Sequence, residues 1–269
     1  ETQVETLITS RTKAIVLVHY AGVGCAMEPL LAISRKYGIP LIEDNAHGLM
    51  GKYNGRSLGS FGAFATQSFH DTKNVVCGEG GALVINDPQF IERAEILWEK
   101  GTNRKKFLAG LVDKYTWVDI GSSFLLSDLL AAFLFGQLEQ AAQIQSLRHK
   151  VWQHYHDSLE ALAGKLGISL PQVPAACQHA AHLFYILLPS RSIRDQLIGF
   201  LRSQGVQSAF HYLPLHLSPM GQRFSYQKGD FPVTEEISGR LLRLPFHNRL
   251  AREEQDRVIS TLSAGISGL

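Results

Sequence analysis

The sequence predicts an α/β fold: a central, mostly parallel sheet with helices on both faces (residues 1–140), followed by a smaller α+β domain (141–269). Three observations carry this. Residues 14–44 read as strand, helix, strand, a βαβ unit of about 30 residues whose crossover is right-handed. Two more apolar runs, 61–69 and 82–86, supply further strands. A helical pattern from 127 to 163 then outlasts an ordinary globular helix and leads into a second alternation of strands and helices.

In chain order, residues 1–10 read as a short helix. Residues 14–20 (AIVLVHY) are continuously apolar, as expected of a strand buried on both faces of a parallel sheet. After a turn at 21–24, apolar residues recur at helical spacing over 27–37, and Gly38 stops the helix as a C-terminal glycine does. The strand at 40–44 (PLIED) ends in two carboxylates. Between strands 61–69 and 82–86 lies a loop with Lys73 and the run Gly78-Glu79-Gly80-Gly81. Residues 88–100 are helical and closed by Gly101, whereas 101–123 is irregular, with Tyr115 and Trp117 embedded. The long helix is expected to bend or break near 141–144, where the domains join. Beyond it come a strand at 182–188, a helix at 192–203, a strand at 207–212, a loop with Pro214 and Pro219, and a last helix at 252–264.

Composition narrows the function. Of 269 residues, 26 are Lys or Arg and 24 Asp or Glu, and the net charge of +2 gives no electrostatic case for nucleic acid or an anionic membrane surface. The greasiest stretch, 124–138, is interrupted by Ser127, Asp128 and Gly136, and falls short of the roughly 18 residues of a membrane helix. Cys25, Cys77 and Cys177 are odd in number, far apart and without metal-ligand spacing, which suits reduced thiols in the cytoplasm. The sequence opens without Met or a signal peptide.

In an open α/β sheet, ligands bind outside the carboxyl ends of the parallel strands. Here those ends offer Asp44 with His47, then Ser68, His70 and Lys73. An Asp at a buried strand end suits a protonated ring nitrogen, and a loop Lys can form a Schiff base once its pKa is lowered. Lys and Asp together are the protein's share of pyridoxal-phosphate chemistry. Singly, each has a commonplace explanation. A loop Lys is ordinarily solvated, an Asp ending a strand ordinarily caps a turn, and a lone His ordinarily completes a core or surface. The Gly78–Gly81 run reads first as a turn with positive φ and lacks the dinucleotide and Walker spacings. A nicotinamide-binding fold fails at residues 20–27 (YAGVGCAM), which offer G-x-G without the third glycine.

The order of the motifs is decisive. E-D-N-A-H-G at 43–48, S-F-H-D-T-K-N at 68–74, G-E-G-G-A at 78–82 and G-S-S-F-L-L-S-D-L-L-A-A-F at 121–133 follow one another along the chain. Together they closely resemble the DegT/DnrJ/EryC1/StrS sugar-nucleotide aminotransferases, which are fold-type-I pyridoxal-phosphate enzymes. V-H-Y-A-G-V at 18–23, E-K-G-T-N-R at 99–104, D-K-Y-T-W-V-D-I-G-S-S at 113–123 and F-H-Y-L-P-L-H at 210–216 are similar to one branch, the transaminases making dTDP-4-amino-4,6-dideoxygalactose for enterobacterial common antigen.

The resemblance implies a role for each matching residue. Lys73 would carry the cofactor and shuttle the proton, Asp44 would keep the pyridinium nitrogen protonated, His47 would hydrogen-bond the ring hydroxyl, and Ser68 would bind the phosphate. Ser123 stands where the family's G-x-N-Y-R motif has Asn, which reaches the phosphate of the partner subunit in a homodimer; a hydroxyl can still donate one hydrogen bond. The substrates implied are a nucleotide sugar and an amino-acid donor, in a cytoplasmic enzyme. The resemblance further implies that an upstream part of the large domain, with a phosphate-holding helix N-terminus, is missing here. That leaves a second hypothesis, a catalytically silent truncated homologue acting only as a dimerisation partner.

Overall fold

The structure, a computed structural model, describes residues 1–268. It divides into two units: Glu1–Ala142 with Ala175–Ala180, and Gln143–Pro174 with the chain from Ala181 onward. Among the described residues no helix is long and apolar enough to cross a membrane.

The first unit is built on a four-stranded sheet. β1 (Ile15–Val18) leads through helix α1 (Met27–Tyr37) to β2 (Leu41–Asp44), which lies parallel beside it with Val18 opposite Asp44. α1 ends where Gly38 takes a left-handed φ of 63°, a conformation open to glycine at little cost. Two short strands, β3 (Lys52–Tyr53) and β4 (Arg56–Ser57), form a hairpin the sequence reading did not anticipate. β5 (Phe64–Ser68) returns parallel to β2, and β6 (Gly81–Ile85) runs antiparallel to β5, giving the order β1-β2-β5-β6. The expected mostly parallel sheet is present, with two of its three pairings parallel and the third, β5 with β6, antiparallel.

One expectation about this sheet is corrected. Alternation along β1 sends Leu17 onto Met27, Leu30 and Leu41, whereas Val16 and Val18 on the other face are 62% and 47% exposed. Residues 14–20 are therefore not buried on both faces of this chain. The register puts Asp44 and Thr66 on the same open face as Val18.

Past the sheet come α2 (Ile91–Trp98), the short α3 (Arg104–Leu108) and α4 (Asp128–Glu139). Ser127 caps α4, its hydroxyl accepting from Leu130 N–H. Gln140 separates α4 from the 26-residue α5 (Ala141–Leu166), so the long helical pattern breaks, as expected, close to 141. Leu126, Leu130 and Leu134 pack on Phe69, Val75 and Cys77, supporting the loop that carries Lys73. From much later in the chain, β7 (Cys177–Gln178) pairs antiparallel with β3.

In the second unit, β8 (Tyr185–Leu187) precedes α6 (Arg191–Ser203), α7 (Pro219–Gln222) and α8 (Pro232–Arg240), and β9 (Leu241–Arg243) precedes α9 (Arg252–Ser267). Its core gathers Tyr155 and Leu159 of α5, Phe184, Ile186, Leu197, Leu242 and Leu262. The sequence expected a strand at 207–212; the structure has a single bridge there, Ala209 to Arg243, and β8 pairs instead with β9. Phe210 and Tyr212 are both exposed and His211 between them is buried, so the aromatic residues of that stretch face away from the core. Arg148 of α5 is buried; its Nε donates to Ala181 O at 3.0 Å, its other nitrogen Nη2 donates to His182 O, and burial lowers its pKa to about 10.

Candidate active site

Because β1, β2 and β5 are parallel neighbours, their carboxyl ends open on one edge of the sheet. Backbone bonding continues past each strand, His19 N–H donating to Asp44 O at 3.2 Å and Asn45 N–H to Thr66 O at 3.0 Å. The turns that follow are thereby held in line. Asp44 Oδ1 accepts from Ala46 N–H at 3.1 Å, an Asx turn that orients the carboxylate. His47 Nδ1 accepts from Ala21 N–H at 3.4 Å, and its ring meets Tyr20 edge-on at 5.7 Å. Ser68, the last residue of β5, accepts through Oγ from His70 N–H at 3.4 Å. Lys73 is half-buried, its N–H donating to His70 O at 2.9 Å.

The glycine run closes this loop. Gly78 bridges His70 with a φ of 88°, and a Cβ on Gly81 would stand 2.8 Å from Gln67 O. The run is thus a turn and a close backbone approach that returns the chain from β5 into β6.

Asp44 and Ser68 are thus the last residues of β2 and β5, and His47 and Lys73 lie in the turns that follow these neighbouring strands. Ser123 is set on a different segment. It is exposed and forms an isolated bridge with Glu99, just beyond α2.

Two residues behind this edge were missed by the sequence reading. Glu43 and His19 are both fully buried, with His19 Nε2 2.9 Å from Glu43 Oε2. Three backbone donors complete the carboxylate: Gly59 N–H at 2.7 Å, Phe61 N–H at 2.6 Å and Gly62 N–H at 2.7 Å. His19 Nδ1 accepts from Cys25 N–H at 3.1 Å, so the ring's proton sits on Nε2 and faces Glu43. Burial disfavours the charged carboxylate, but the His19 bond and the three N–H donors outweigh it and hold the Glu43 pKa below the ordinary value. The available signal was the Glu43–Asp44 doublet, since period-two alternation sends two neighbouring carboxylates to opposite faces.

Comparison with known proteins identifies the chemistry. Residues 1–263 match the DegT/DnrJ/EryC1/StrS aminotransferase family. The chain belongs to this family. It is 35% identical over 264 residues to the erythromycin biosynthesis sensory transduction protein EryC1 of Saccharopolyspora erythraea, covering 97% of this chain and 68% of that one. Among solved structures, the aminotransferase TlmJ from Streptoalloteichus hindustanus superposes with a TM-score of 0.87 at 27% identity, covering 99% of this chain and 69% of TlmJ. DesV from S. venezuelae gives 0.86 at 30% identity, covering 98% and 67%. The family consists of pyridoxal-phosphate-dependent sugar aminotransferases, so the chain is that of an enzyme with this cofactor and with amino transfer to sugar intermediates as its chemistry.

Proposed function

We propose that this family member transfers an amino group from glutamate to the keto carbon of a dTDP-4-keto-6-deoxyhexose, for cell-surface polysaccharide of the enterobacterial common antigen type. The observation that carries the reading is that four polar residues, Asp44, His47, Ser68 and Lys73, stand at the carboxyl ends of the neighbouring parallel strands β2 and β5 and in the turns just beyond them. The motifs at 18–23, 99–104, 113–123 and 210–216 support the sugar assignment.

Each polar corner of pyridoxal phosphate has a chemical match in this set, so the residues fit the group. Asp44 holds a proton on the ring nitrogen; Ala46 N–H already fixes one of its oxygens. His47, oriented through Nδ1, hydrogen-bonds the ring hydroxyl. Ser68 donates its hydroxyl proton to the phosphate while Oγ keeps accepting from His70. Lys73 Nζ holds the cofactor at rest and moves the proton between carbon atoms of the reacting pair. The cofactor supplies the electron sink that stabilises the carbanion. Ser123, exposed on its separate segment, is read as reaching the phosphate of a partner subunit in a homodimer. Three free cysteines fit work in the cytoplasm.

Borohydride reduction in the presence of pyridoxal phosphate, followed by peptide mapping, tests the reading. The pyridoxyl group is expected on Lys73; finding it on Lys52, Lys105 or Lys114 instead removes the assignment. Turnover with dTDP-4-keto-6-deoxyhexose and glutamate, against other keto sugars and donors, tests the substrates.

A further inference from the structure

Lys73 is followed by a residue whose side chain is committed elsewhere. Asn74 is buried, and its Nδ2 donates to Ala180 O at 2.7 Å, across 106 residues of sequence. Ala180 is itself fully buried, and its N–H donates to Gly22 O at 2.8 Å. The contact at Gly22 is tight: a Cβ there would lie 2.7 Å from Ala180 Cβ and 2.9 Å from His47 O. A few residues earlier, β7 is paired to β3, and Asn54 N–H donates to Ala176 O at 2.7 Å. Ala175–Ala180 is therefore a strap, fastened to β3 at one end and to the turn after β1 at the other, all within the first unit.

The Lys73 backbone is held from both sides. Its own N–H is bonded to His70 O, while Asn74 anchors the next residue to the strap. Val75 and Cys77 continue the anchoring by packing on Phe69. A lysine amine on a loose loop is spread both by the loop and by its own stem, and fixing the backbone at each side removes the part that comes from the loop.

We propose that Asn74 is a positioning residue for Lys73: through Ala180 it fixes the depth at which the lysine amine stands at the strand ends. The inference rests on the reading of Lys73 as the cofactor lysine. A buried amide bonded to a carbonyl could equally serve stability alone; the two roles differ in what happens to the amine.

The test is trace acetylation of the cofactor-free chain with acetic anhydride at fixed pH, followed by peptide mapping, with Lys105 and Lys114 as internal references. In Asn74→Ala, local opening of the loop is expected to raise Lys73 labelling by about threefold or more, with the references unchanged. Asn74→Ser keeps a donor on a shorter side chain and is expected to fall between the two. Unchanged Lys73 labelling in a folded Asn74→Ala chain overturns the proposal, and so does an equal rise at all three lysines, which marks general loosening. If circular dichroism shows that Asn74→Ala does not fold, Asn74→Ser decides on the same terms. Borohydride mapping of the unaltered chain with pyridoxal phosphate stands apart: an adduct on another lysine removes the cofactor role of Lys73, yet leaves the labelling result to judge the Asn74 clamp.

Discussion

His19 and Glu43 form a fully buried pair, Nε2 to Oε2 at 2.9 Å, directly behind the strand edge that carries Asp44. The sites of the two residues are 24 positions apart, and the pair joins the end of β1 to the end of β2. Through Gly59, Phe61 and Gly62, the same carboxylate also holds the segment that enters β5. One buried carboxylate on β2 thus ties together the residue that follows β1 and the segment that enters β5. Glu43→Gln puts an amide where the carboxylate accepts from four donors, so an N–H is left facing an N–H. Breaking a buried charged network of this kind costs about 3–5 kcal/mol. Urea unfolding of the variant should show that loss; a change under about 1 kcal/mol would mean the network is readily replaced.

The same residue sets a pH dependence. Glu43 has its pKa lowered below the ordinary 4.5 in the folded chain, so the folded state binds its proton less readily than the unfolded state. Its contribution to stability is complete above 4.5 and is lost as pH falls through the lower folded value. Unfolding midpoints measured from pH 7 down to pH 3 should decline in that acid window, and Glu43→Gln should flatten the decline.

Asp44→Asn keeps the oxygen that accepts from Ala46 N–H and removes the charge. Folding should change little, while turnover of the loaded enzyme should fall by about two to four decades, because the ring nitrogen no longer has an anion to keep its proton. Parallel thermal melts and rate measurements check this, and near-normal turnover would falsify the role.

Gly22→Ala combines a φ of 82° with a Cβ 2.7 Å from Ala180. Both features oppose any side chain, and a loss of about 2 kcal/mol or more is expected in thermal or urea unfolding. A neutral result would show that the strap yields.

Arg148→Ala leaves the carbonyls of Ala181 and His182 without their charged donor in a buried place. A loss of about 3 kcal/mol is expected, and Arg148→Lys, able to serve only one carbonyl well, should lose about half as much. Chemical denaturation of the three chains gives the comparison.

What the sequence determined by itself is local or ordered. Gly38 ends α1 because a left-handed residue is cheap for glycine and costly for others. The βαβ unit over β1, α1 and β2 follows from two periodicities and the length between them. Asp44, His47, Ser68 and Lys73 could be placed at strand ends from the sequence, because those ends are marked there and parallel strands bring consecutive ends to one edge; the roles proposed for them come from the family resemblance. What only the tertiary structure decided is non-local. No local pattern tells that Asn74 meets Ala180, that β8 takes β9 and not 207–212 as its partner, or that His19 faces Glu43. Nor does an apolar run reveal which of its faces is covered: Leu17 is buried and Val16 is exposed on the same strand. Hydrogen-bond partners and packed faces are selected by which segments arrive opposite one another once the chain has closed on itself, and that information resides in the fold as a whole, not in any one stretch of residues.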